Sequence, residues 1–180
     1  MHDDELWQVF SQNGEPIIDK GENANAFDSN KDLVSSNAHV WLWRDKDNKR
    51  EILLQKRSLS VTRKPGYLNS SAAGHINISE SAVVAAVRET QEELGIKIEP
   101  AGLYLVHTTR TVRNLNDLKH VYIYNVANNV KFSFDDGEVD SVTWYSLDYF
   151  REMTNNPDEH KLVDQGRTYF DILIAAIERQ

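Results

Sequence analysis

The chain has 180 residues, of which 40% are hydrophobic and 27% charged, and its formal net charge is -8. This length allows one domain with a sizeable core, and the composition is typical of a soluble globular protein. The acidic balance argues against a general nucleic-acid-binding surface, and the absence of cysteine excludes disulfides, thiolate nucleophiles and cysteine-ligated metals. No apolar run is long enough to span a bilayer, and Met1–Glu5 has no apolar signal core, so we expect a cytoplasmic protein.

The first elements that the sequence predicts are two short strands. Leu6–Phe10 has strand composition, and Pro16–Lys20 is expected to pair back against it as a hairpin. The polar stretch 22–33 is weakly helical. We therefore divide the chain into residues 1–35, an N-terminal hairpin that is an appendage of the same domain, and residues 36–180, which form the main domain.

Strands and a basic loop follow the hairpin. Ala38–Trp43 and Glu51–Arg57 are predicted strands, with a charged turn between them. Ser58–Tyr67 is a loop with several basic residues. Leu68–Ala73 is a further predicted strand that leads into Gly74, where the missing side chain lets the chain turn sharply toward the next helix.

The segment after Gly74 predicts an amphipathic helix. Its apolar positions recur every three or four residues and make a core-facing stripe of Val83, Ala86, Val87, Thr90 and Leu94. Ser79 or Ser81 can cap the start of this helix, and Gly95 ends it. The opposite face carries Arg88, Glu89, Glu92 and Glu93.

The three glutamates on that face are a candidate metal site. Glu89, Glu92 and Glu93 stand at i, i+3 and i+4, so their carboxylates are expected to converge on one patch. Converging carboxylates repel one another, and a hard cation such as Mg²⁺ removes that repulsion because it binds carboxylates together with substrate phosphates. Glutamate-rich helix faces are also commonly just solvated, so the pattern by itself leaves both interpretations open.

The second half of the chain predicts more strands and two helices. The strands are expected at 102–107, 121–126 and 141–145, with a long basic loop over 110–119 between the first two. The helices are expected at Leu147–Met153 and Arg167–Glu178, the second of which is amphipathic. Strands that run into one helix, followed by more strands and C-terminal helices, favour an α+β or layered α/β/α domain.

The stretch from Gly74 to Ile96 resembles the Nudix box, G-x5-E-x7-R-E-U-x-E-E-x-G-U, in which U is apolar. The matching residues are Gly74, Glu80, Arg88, Glu89, Glu92, Glu93, Gly95 and Ile96, and Thr90 is the departure, at the first U position. The resemblance implies a Nudix-type α/β/α sandwich, with a mixed sheet between helices and the box as a loop-helix-loop. It also implies a Mg²⁺-dependent hydrolase, with Mn²⁺ as an alternative ion, that cleaves a diphosphate linkage.

The resemblance also implies the metal ligands. Glu89, Glu92 and Glu93 are expected to hold the metal, with Glu93 the most central, and the backbone carbonyl of Gly74 often joins them in Nudix proteins. Divalent ions in such a site neutralise the phosphate oxygens and lower the pKa of a bound water. Arg88 is expected to orient the glutamates through an ion pair.

Two further carboxylates have expected roles by the same resemblance. Glu80 fits the structural carboxylate of the box, with a secondary metal role as the alternative. The base that deprotonates water varies in the family between a box glutamate and a glutamate on a later loop. Glu138, which precedes the strand that ends in Trp144, is the later candidate, and a solvated turn residue is its alternative reading.

Basic and aromatic side chains are candidates for binding the substrate. Cations able to hold phosphate oxygens are Lys56, Arg57, Arg63 and Lys64. Aromatic residues able to line a pocket for a base or an isoprenoid are Trp41, Trp43 and Tyr67, for which a place in the core is the ordinary alternative. The expected partner is a small-molecule diphosphate such as a nucleoside diphosphate derivative, without a nucleic acid polymer or a membrane, and a homodimer remains open.

Outside the box, the chain resembles a Nudix subgroup related to isopentenyl-diphosphate isomerase. The shared features include Leu6-Trp7, His39, Leu54–Ser58, Pro65–Tyr67 and Ser71–His75. The isomerases place metal-binding histidines where His39 and His75 stand. They also need a cysteine where this chain has Ala73, and an acidic pair near residues 118–120, where this chain has no carboxylate. A hydrolase is therefore favoured, and the alternatives are an isomerase-like enzyme and a non-catalytic Nudix-fold binding or sensor module.

Overall fold

The computed structural model describes residues 6–30, 32–111 and 116–180. The strands in these ranges, in chain order, are β1 (Trp7–Phe10), β2 (Pro16–Glu22), β3 (Ser35–Lys46), β4 (Lys49–Arg57), β5 (Leu68–Asn69), β6 (Ala72–His75), β7 (Tyr104–Thr111), β8 (Asp117–Asn125) and β9 (Val139–Ser146). The helices are α1 (Ala24–Ser29), α2 (Ala82–Leu94), α3 (Leu147–Met153) and α4 (Arg167–Glu178). A single 3₁₀ turn, Pro100–Gly102, follows α2.

Strand β3 is at the centre of a seven-stranded mixed sheet with the order β5-β4-β3-β8-β7. It runs parallel to β8, and the other pairs of strands are antiparallel. One edge of β3 is shared, because β4 pairs with Trp43–Lys46 and β6 pairs with Asn37–Val40. Strand β9 pairs with β4 and also belongs to this sheet.

The alternation of side chains along β3 divides the core into two layers. Val40 and Leu42 pack with residues of α2, whereas Trp41 and Trp43 pack with residues of α3 and α4 on the opposite face. Successive side chains of a strand point to opposite faces, so an apolar strand buried on both sides needs helices on both sides. This arrangement confirms the predicted α/β/α sandwich. Within the described ranges, no helix has the length and apolar character needed to cross a membrane.

The N-terminal hairpin joins the main sheet through backbone hydrogen bonds. Strands β1 and β2 pair antiparallel, as predicted. The Gln8 N–H donates to the Ile76 carbonyl at 2.9 Å, and the Phe10 N–H donates to the Val34 carbonyl at 2.8 Å. The hairpin therefore lies against the end of β6. The boundary at residue 35 between the N-terminal appendage and the main domain stays a prediction.

Helix α2 begins and ends as its capping residues predict. The hydroxyl of Ser81 accepts from the Val84 N–H, and Gly95 closes the helix with a left-handed φ of 67°. Thr90 is fully buried and donates to the Ala86 carbonyl. The prediction that Glu93 projects away from the core is wrong: Glu93 is only 3% exposed, because at i+3 from Thr90 and i+7 from Ala86 it shares their buried face.

Strands β7 and β8 are longer than predicted. The expected loop over 110–119 is replaced at both ends by strand, and Thr111 pairs directly with Asp117. The remainder of that predicted loop, 112–115, lies outside the described residues, as does the segment 1–5. The antiparallel pairing explains the difference, since backbone hydrogen bonds across the hairpin hold polar and basic residues that have no strand signal of their own.

Candidate active site

One edge of β6 faces α2 and not another strand. In an antiparallel pair, alternate residues direct their N–H and C=O groups to the same side. The Ile76 N–H donates to β3 at 2.9 Å, so residues 72 and 74 also point to β3. The groups of Ala73 and His75 point the opposite way: the Ala73 N–H donates to Glu93 Oε2 at 3.0 Å, and the His75 carbonyl accepts from Arg88 Nη2 at 2.9 Å. Side chains of α2 thus form the hydrogen bonds that the backbone groups at this edge of the sheet need.

This register corrects the predicted carbonyl ligand. The Gly74 carbonyl is directed at β3, where Gly74 is paired with Ala38. The carbonyl that points to the α2 side, next to the carboxylate of Glu93, belongs to Ala73. A metal ion held by the helix carboxylates would therefore meet the oxygen of Ala73 and not that of Gly74.

Glu93 is a buried carboxylate held in place by two donors. Its Oε2 accepts from Gln55 Nε2 at 3.0 Å and from the Ala73 N–H at 3.0 Å. Burial, followed by the charge of Glu89, holds the pKa of Glu93 well above its ordinary value, and the bond from Ala73 opposes this shift. Glu93 is therefore a carboxylate whose charged form lacks sufficient positive charge around it.

Gly74 is needed for the position of Glu89. A Cβ built on Gly74 would lie 2.0 Å from both Cδ and Oε1 of Glu89, so the carboxylate rests directly on the backbone of β6. Only glycine leaves this space. Glu89 and Glu93 are consequently gathered at the same edge of the sheet, one over Gly74 and one at Ala73.

Arg88 is paired with three carboxylates, those of Glu80, Glu89 and Glu92. Its Nη1 donates to Glu89 Oε1 at 2.6 Å and to Glu92 Oε2 at 2.9 Å. Its Nε donates to Glu80 Oε1 at 2.9 Å, and Glu80 also accepts from the Asn77 N–H at 2.9 Å. This geometry is the orienting ion pair expected of Arg88 and the structural contact expected of Glu80.

The three predicted metal glutamates do not meet at one point. Glu93 is buried against the sheet, whereas the side chain of Glu92 is 51% exposed and turned to Arg88. Among the described residues, no three histidine, aspartate or glutamate side chains are grouped closely enough to form a metal site. Two of the three, Glu89 and Glu93, lie at β6, and Glu92 joins them only through Arg88.

The predicted base, Glu138, lies on the loop that approaches α2 just before β9. Its carbonyl accepts from the Ser58 N–H at 2.8 Å, which fixes the loop to the end of β4. The charges of Glu138 and Asp136 both contribute to the raised pKa of Glu93, after burial and the charge of Glu89. A groove of about 650 Å³ runs between this loop and the outer side of α2, with Asp136 on one side and Arg88 on the other.

The predicted substrate cations have partners within the chain. Lys56 Nζ donates to Asp140 Oδ2 at 2.8 Å. Arg57 Nε donates to the carbonyl of Arg63 at 3.0 Å, and the ammonium of Lys64 lies 4.5 Å from the centre of the Tyr67 ring. These contacts organise the loop between β4 and β5, which stands beside Glu138 at the end of β4.

The two tryptophans considered as pocket residues belong to the core. Trp41 is 1% and Trp43 7% exposed, and both pack under α3 and α4. Trp41 Nε1 donates to the hydroxyl of Tyr169 at 2.8 Å, which satisfies its only polar group. The ordinary reading of these residues as core aromatics is confirmed.

Several polar residues near β6 were not identified from the sequence as part of the site. Gln55, which donates to Glu93, is buried at 1%. On the α4 side of the sheet, the missed residues are Asn37, His107, Asp117, Lys119 and Tyr169. Asp117 was missed because it lies one residue before 118–120, the stretch in which an acidic pair was expected. For Gln55, the signal was its place directly after the apolar run Ile52–Leu54 of a buried strand.

Comparison with known proteins identifies the family. The family model described as NUDIX domain matches residues 35–165, and the chain therefore belongs to this family. It is an enzyme of the Nudix hydrolase class, as the sequence predicted.

Individual relatives are similar over parts of the chain. Nudix hydrolase 3 of Arabidopsis thaliana is 27% identical over 130 residues, which are 67% of this chain and 17% of the plant protein. Isopentenyl-diphosphate Delta-isomerase 2 of Photorhabdus laumondii is 30% identical over 135 residues, 70% of this chain and 75% of that protein. The crystal structure of DR0079 from Deinococcus radiodurans has the same fold, with a TM-score of 0.67, 15% identity, and coverage of 97% of this chain and 98% of that one.

Proposed function

We propose that the chain is a Mg²⁺-dependent hydrolase that cleaves a diphosphate linkage in a small molecule, such as a nucleoside diphosphate derivative. Mn²⁺ is the alternative ion. The proposal includes a cytoplasmic location, a homodimer as an open assembly state, and residues 1–35 as an appendage of the catalytic domain. Neither a nucleic acid polymer nor a membrane is a proposed partner.

The observation that carries the proposal is the pair Glu89 and Glu93 at the free edge of β6. Carboxylate and carbonyl oxygens are the ligands that Mg²⁺ prefers, and Ala73 supplies a carbonyl between these carboxylates. Burial and the charge of Glu89 raise the pKa of Glu93, which is expected of a carboxylate whose counterion is a bound cation. The residues present therefore fit the metal.

The residues of the site have separate tasks in this proposal. Glu89 and Glu93, with the Ala73 carbonyl, would hold Mg²⁺ directly, and Glu92, whose side chain is turned to Arg88, would join them only after it moves. The metal, when bound, supplies Lewis-acid polarisation of the phosphoryl oxygens and lowers the pKa of water. Arg88 keeps Glu89 and Glu92 oriented through its two bonds at 2.6 and 2.9 Å.

The chemical step needs a base and a place for the charged substrate. Water attacks one phosphorus, a new P–O bond forms, the bridging P–O bond breaks, and the proton of the water passes to Glu138. Glu138 is suited to this because its charge acts on Glu93 and its loop is held at the end of β4 by the Ser58 N–H. The loop that carries Lys64 and Tyr67, with Lys56 and Arg57 before it, is the proposed contact for the substrate phosphates.

The similarity to isopentenyl-diphosphate isomerases makes isomerisation the second candidate. The resemblance requires a cysteine nucleophile at the position of Ala73, and alanine cannot supply one. A binding or sensor module is the third candidate, and the retained set of Glu89, Glu92 and Glu93 argues against it. Hydrolysis accounts for both observations.

Glu93→Gln tests the proposal. The substitution keeps the shape of the side chain and removes its charge, so metal binding should fail while the fold remains. Turnover of a panel of diphosphates in millimolar Mg²⁺ should fall about 10²-fold to 10³-fold. Glu99→Gln, on the exposed segment after α2, is the matched control and should be fully active.

Two results would contradict the proposal. One is a Glu93→Gln protein that keeps more than a tenth of wild-type turnover. The other is equal turnover of the wild-type protein in Mg²⁺ and in excess EDTA. Isomerisation of isopentenyl diphosphate by the wild-type protein, without phosphate release from any member of the panel, would favour the second candidate.

A further inference from the structure

The face of β6 turned away from α2 carries a second group of polar side chains. His39 of β3 is paired with Ala73, and Asn37 of β3 is paired with His75, so these four residues share one face. Trp41, two residues beyond His39, packs under α4, which identifies this as the α4 side of the sheet. The two faces of β6 therefore meet different chemistry, with carboxylates of α2 on one side and histidines on the other.

We define the α4-side cluster as the ionisable residues gathered on this face: His39, His75, His107, Asp117 and Lys119. They come from β3, β6, β7 and β8. His39 Nδ1 is hydrogen-bonded to the hydroxyl of Tyr169 at 2.9 Å, and the ring of His107 lies edge-on to Tyr169 with centroids 5.3 Å apart. Helix α4 thus covers the inner end of the cluster.

One carboxylate oxygen of the cluster, Oδ1 of Asp117, is already occupied. Asp117 Oδ1 accepts from the hydroxyl of Ser35 at 3.2 Å and from Asn37 Nδ2. Lys119 Nζ donates to Gln165 Oε1 at 2.7 Å and retains two further N–H groups. Asp117 therefore offers little to an incoming donor, whereas Lys119 still has protons to donate.

Several histidine ring nitrogens of the cluster, in contrast, have no hydrogen-bond partner within the described part of the chain. His75 Nε2 and both ring nitrogens of His107 are buried without a hydrogen-bond partner among the described residues. The charge of Arg63, on the loop before β5, acts on both His75 and Asp117. Asp164 acts on Lys119 as Asp117 does, so this face holds two carboxylates beside its cations, and the unpartnered imidazoles add uncharged ring nitrogens to them.

The outer end of the cluster reaches the surface only in part, because the unpartnered ring nitrogens are themselves buried. His75, His107 and Lys119 are each partly exposed, whereas His39 and Asp117 are both 6% exposed. The indole of Trp7, from the N-terminal hairpin, is stacked on the ring of His75 with centroids 3.3 Å apart. This contact fixes the imidazole plane, so the unpartnered Nε2 keeps one direction.

We propose that the α4-side cluster binds a phosphate oxyanion of the substrate, with Lys119 as its principal charged contact. A phosphate oxyanion can accept hydrogen bonds from the remaining N–H groups of Lys119 and from unpartnered ring nitrogens of this face. The proposal rests on the proposed function, because the same substrate would present its scissile phosphoryl group to Glu89 and Glu93 across β6. The oxyanion is either the second phosphoryl group of the diphosphate or a phosphate monoester elsewhere on the molecule.

The first experiment measures binding of inorganic phosphate by calorimetry in excess EDTA, which prevents binding through a metal. The wild-type protein should bind phosphate, and Lys119→Gln should weaken binding about tenfold or more. Asp117→Asn keeps the shape and removes the opposing charge, so it should tighten binding several-fold. Lys97→Gln, an exposed cation after α2, is the matched control and should bind as the wild type does.

The two variants are expected to change the affinity for phosphate in opposite directions, and a folding defect cannot produce that pair of results. A merely structural role of this cluster predicts that Lys119→Gln and Asp117→Asn both weaken binding, and that result would overturn the proposal. So would absence of phosphate binding by the wild-type protein, or wild-type affinity in Lys119→Gln. If Lys119→Gln does not fold, as judged by a thermal melt, the tightening by Asp117→Asn decides the question.

A second set of titrations identifies the source of the oxyanion. NADH and NADPH both contain a diphosphate and differ by one phosphate monoester. Equal weakening of both by Lys119→Gln assigns the cluster to the diphosphate, and weakening of NADPH alone assigns it to the monoester. No weakening of either ligand would contradict the proposal. Glu93→Gln should leave phosphate binding in EDTA unchanged, so failure of the proposed hydrolysis and failure of this inference give different results.

Discussion

The position of Glu89 depends directly on the absence of a side chain at Gly74. A Cβ at this residue would lie 2.0 Å from Glu89 Cδ and Oε1, whereas ordinary contacts begin near 3.4 Å. The substitution Gly74→Ala must therefore move the carboxylate away from β6 by roughly 1 Å or more. That movement also disturbs the ion pair of Glu89 with Arg88, now at 2.6 Å.

The expected effect on stability is small. Gly74 is not among the residues with positive φ, so alanine fits its backbone and should stabilise the protein by about 0.4 to 1 kcal/mol through the unfolded state. Weakening the partly exposed pair of Arg88 and Glu89 should cost about 0.2 to 1 kcal/mol. These effects offset each other, and the melting temperature should change by only a few degrees.

The expected effect on activity is large, because a displacement of about 1 Å in a catalytic group costs about 10²-fold in rate. Turnover of a diphosphate in saturating Mg²⁺ and a thermal melt of the same preparation are the measurements. In the double variant with Glu89→Asp, the shorter side chain leaves room for the new methyl group, so the two losses should be less than additive. If Gly74→Ala retains more than a third of wild-type turnover, the close approach of Glu89 to β6 has no role in catalysis.

Three further outcomes are expected. Burial raises the pKa of Asp117 from 3.8 to about 6, so between these pH values the folded state binds more protons than the unfolded state. The free energy of unfolding should therefore fall as the pH rises from about 4 to about 6. Urea unfolding of the wild-type protein should show this fall, and urea unfolding of Asp117→Asn should not. At pH 8 without divalent ions, Glu93→Gln should have a higher melting temperature than the wild-type protein, because the raised pKa of Glu93 means that its ionised form destabilises the fold. Added Mg²⁺ should raise the melting temperature of the wild-type protein only. Thr90→Val should change the unfolding free energy by less than about 1 kcal/mol, since it loses only a bond to a helical carbonyl.

The helices were predictable because their signals are local. Leu147–Met153 and Arg167–Glu178 have the predicted bounds, and the ends of α2 follow from Ser81 and Gly95. Each of these depends on periodicity or capping within a few residues. The burial of Glu93 was missed because residue type was given more weight than helical position, although its spacing from Thr90 placed it on the buried face.

The α4-side cluster was beyond local reasoning. It requires that β3 lie parallel to β8, a pairing in which Asn37 meets Lys119 across 82 positions of the chain. The sequence carried one usable signal, polar side chains at the alternate positions Ser35, Asn37 and His39. It was missed because the strand was expected to begin at Ala38, whereas β3 begins at Ser35.

The two faces of β6 together explain how a negatively charged protein can bind a substrate that is also negatively charged. With a net charge of -8, the protein as a whole repels an anionic substrate, so affinity for a diphosphate depends on positive charge placed within contact distance. In our proposals, one source is the cation held at Glu89 and Glu93, and the other is Lys119. Between them stand Ala73 and Gly74, and the carboxylate of Glu89 lies directly on the backbone of Gly74. The substrate would then be selected by the span between its charged groups, since only a molecule that reaches both faces uses both sources.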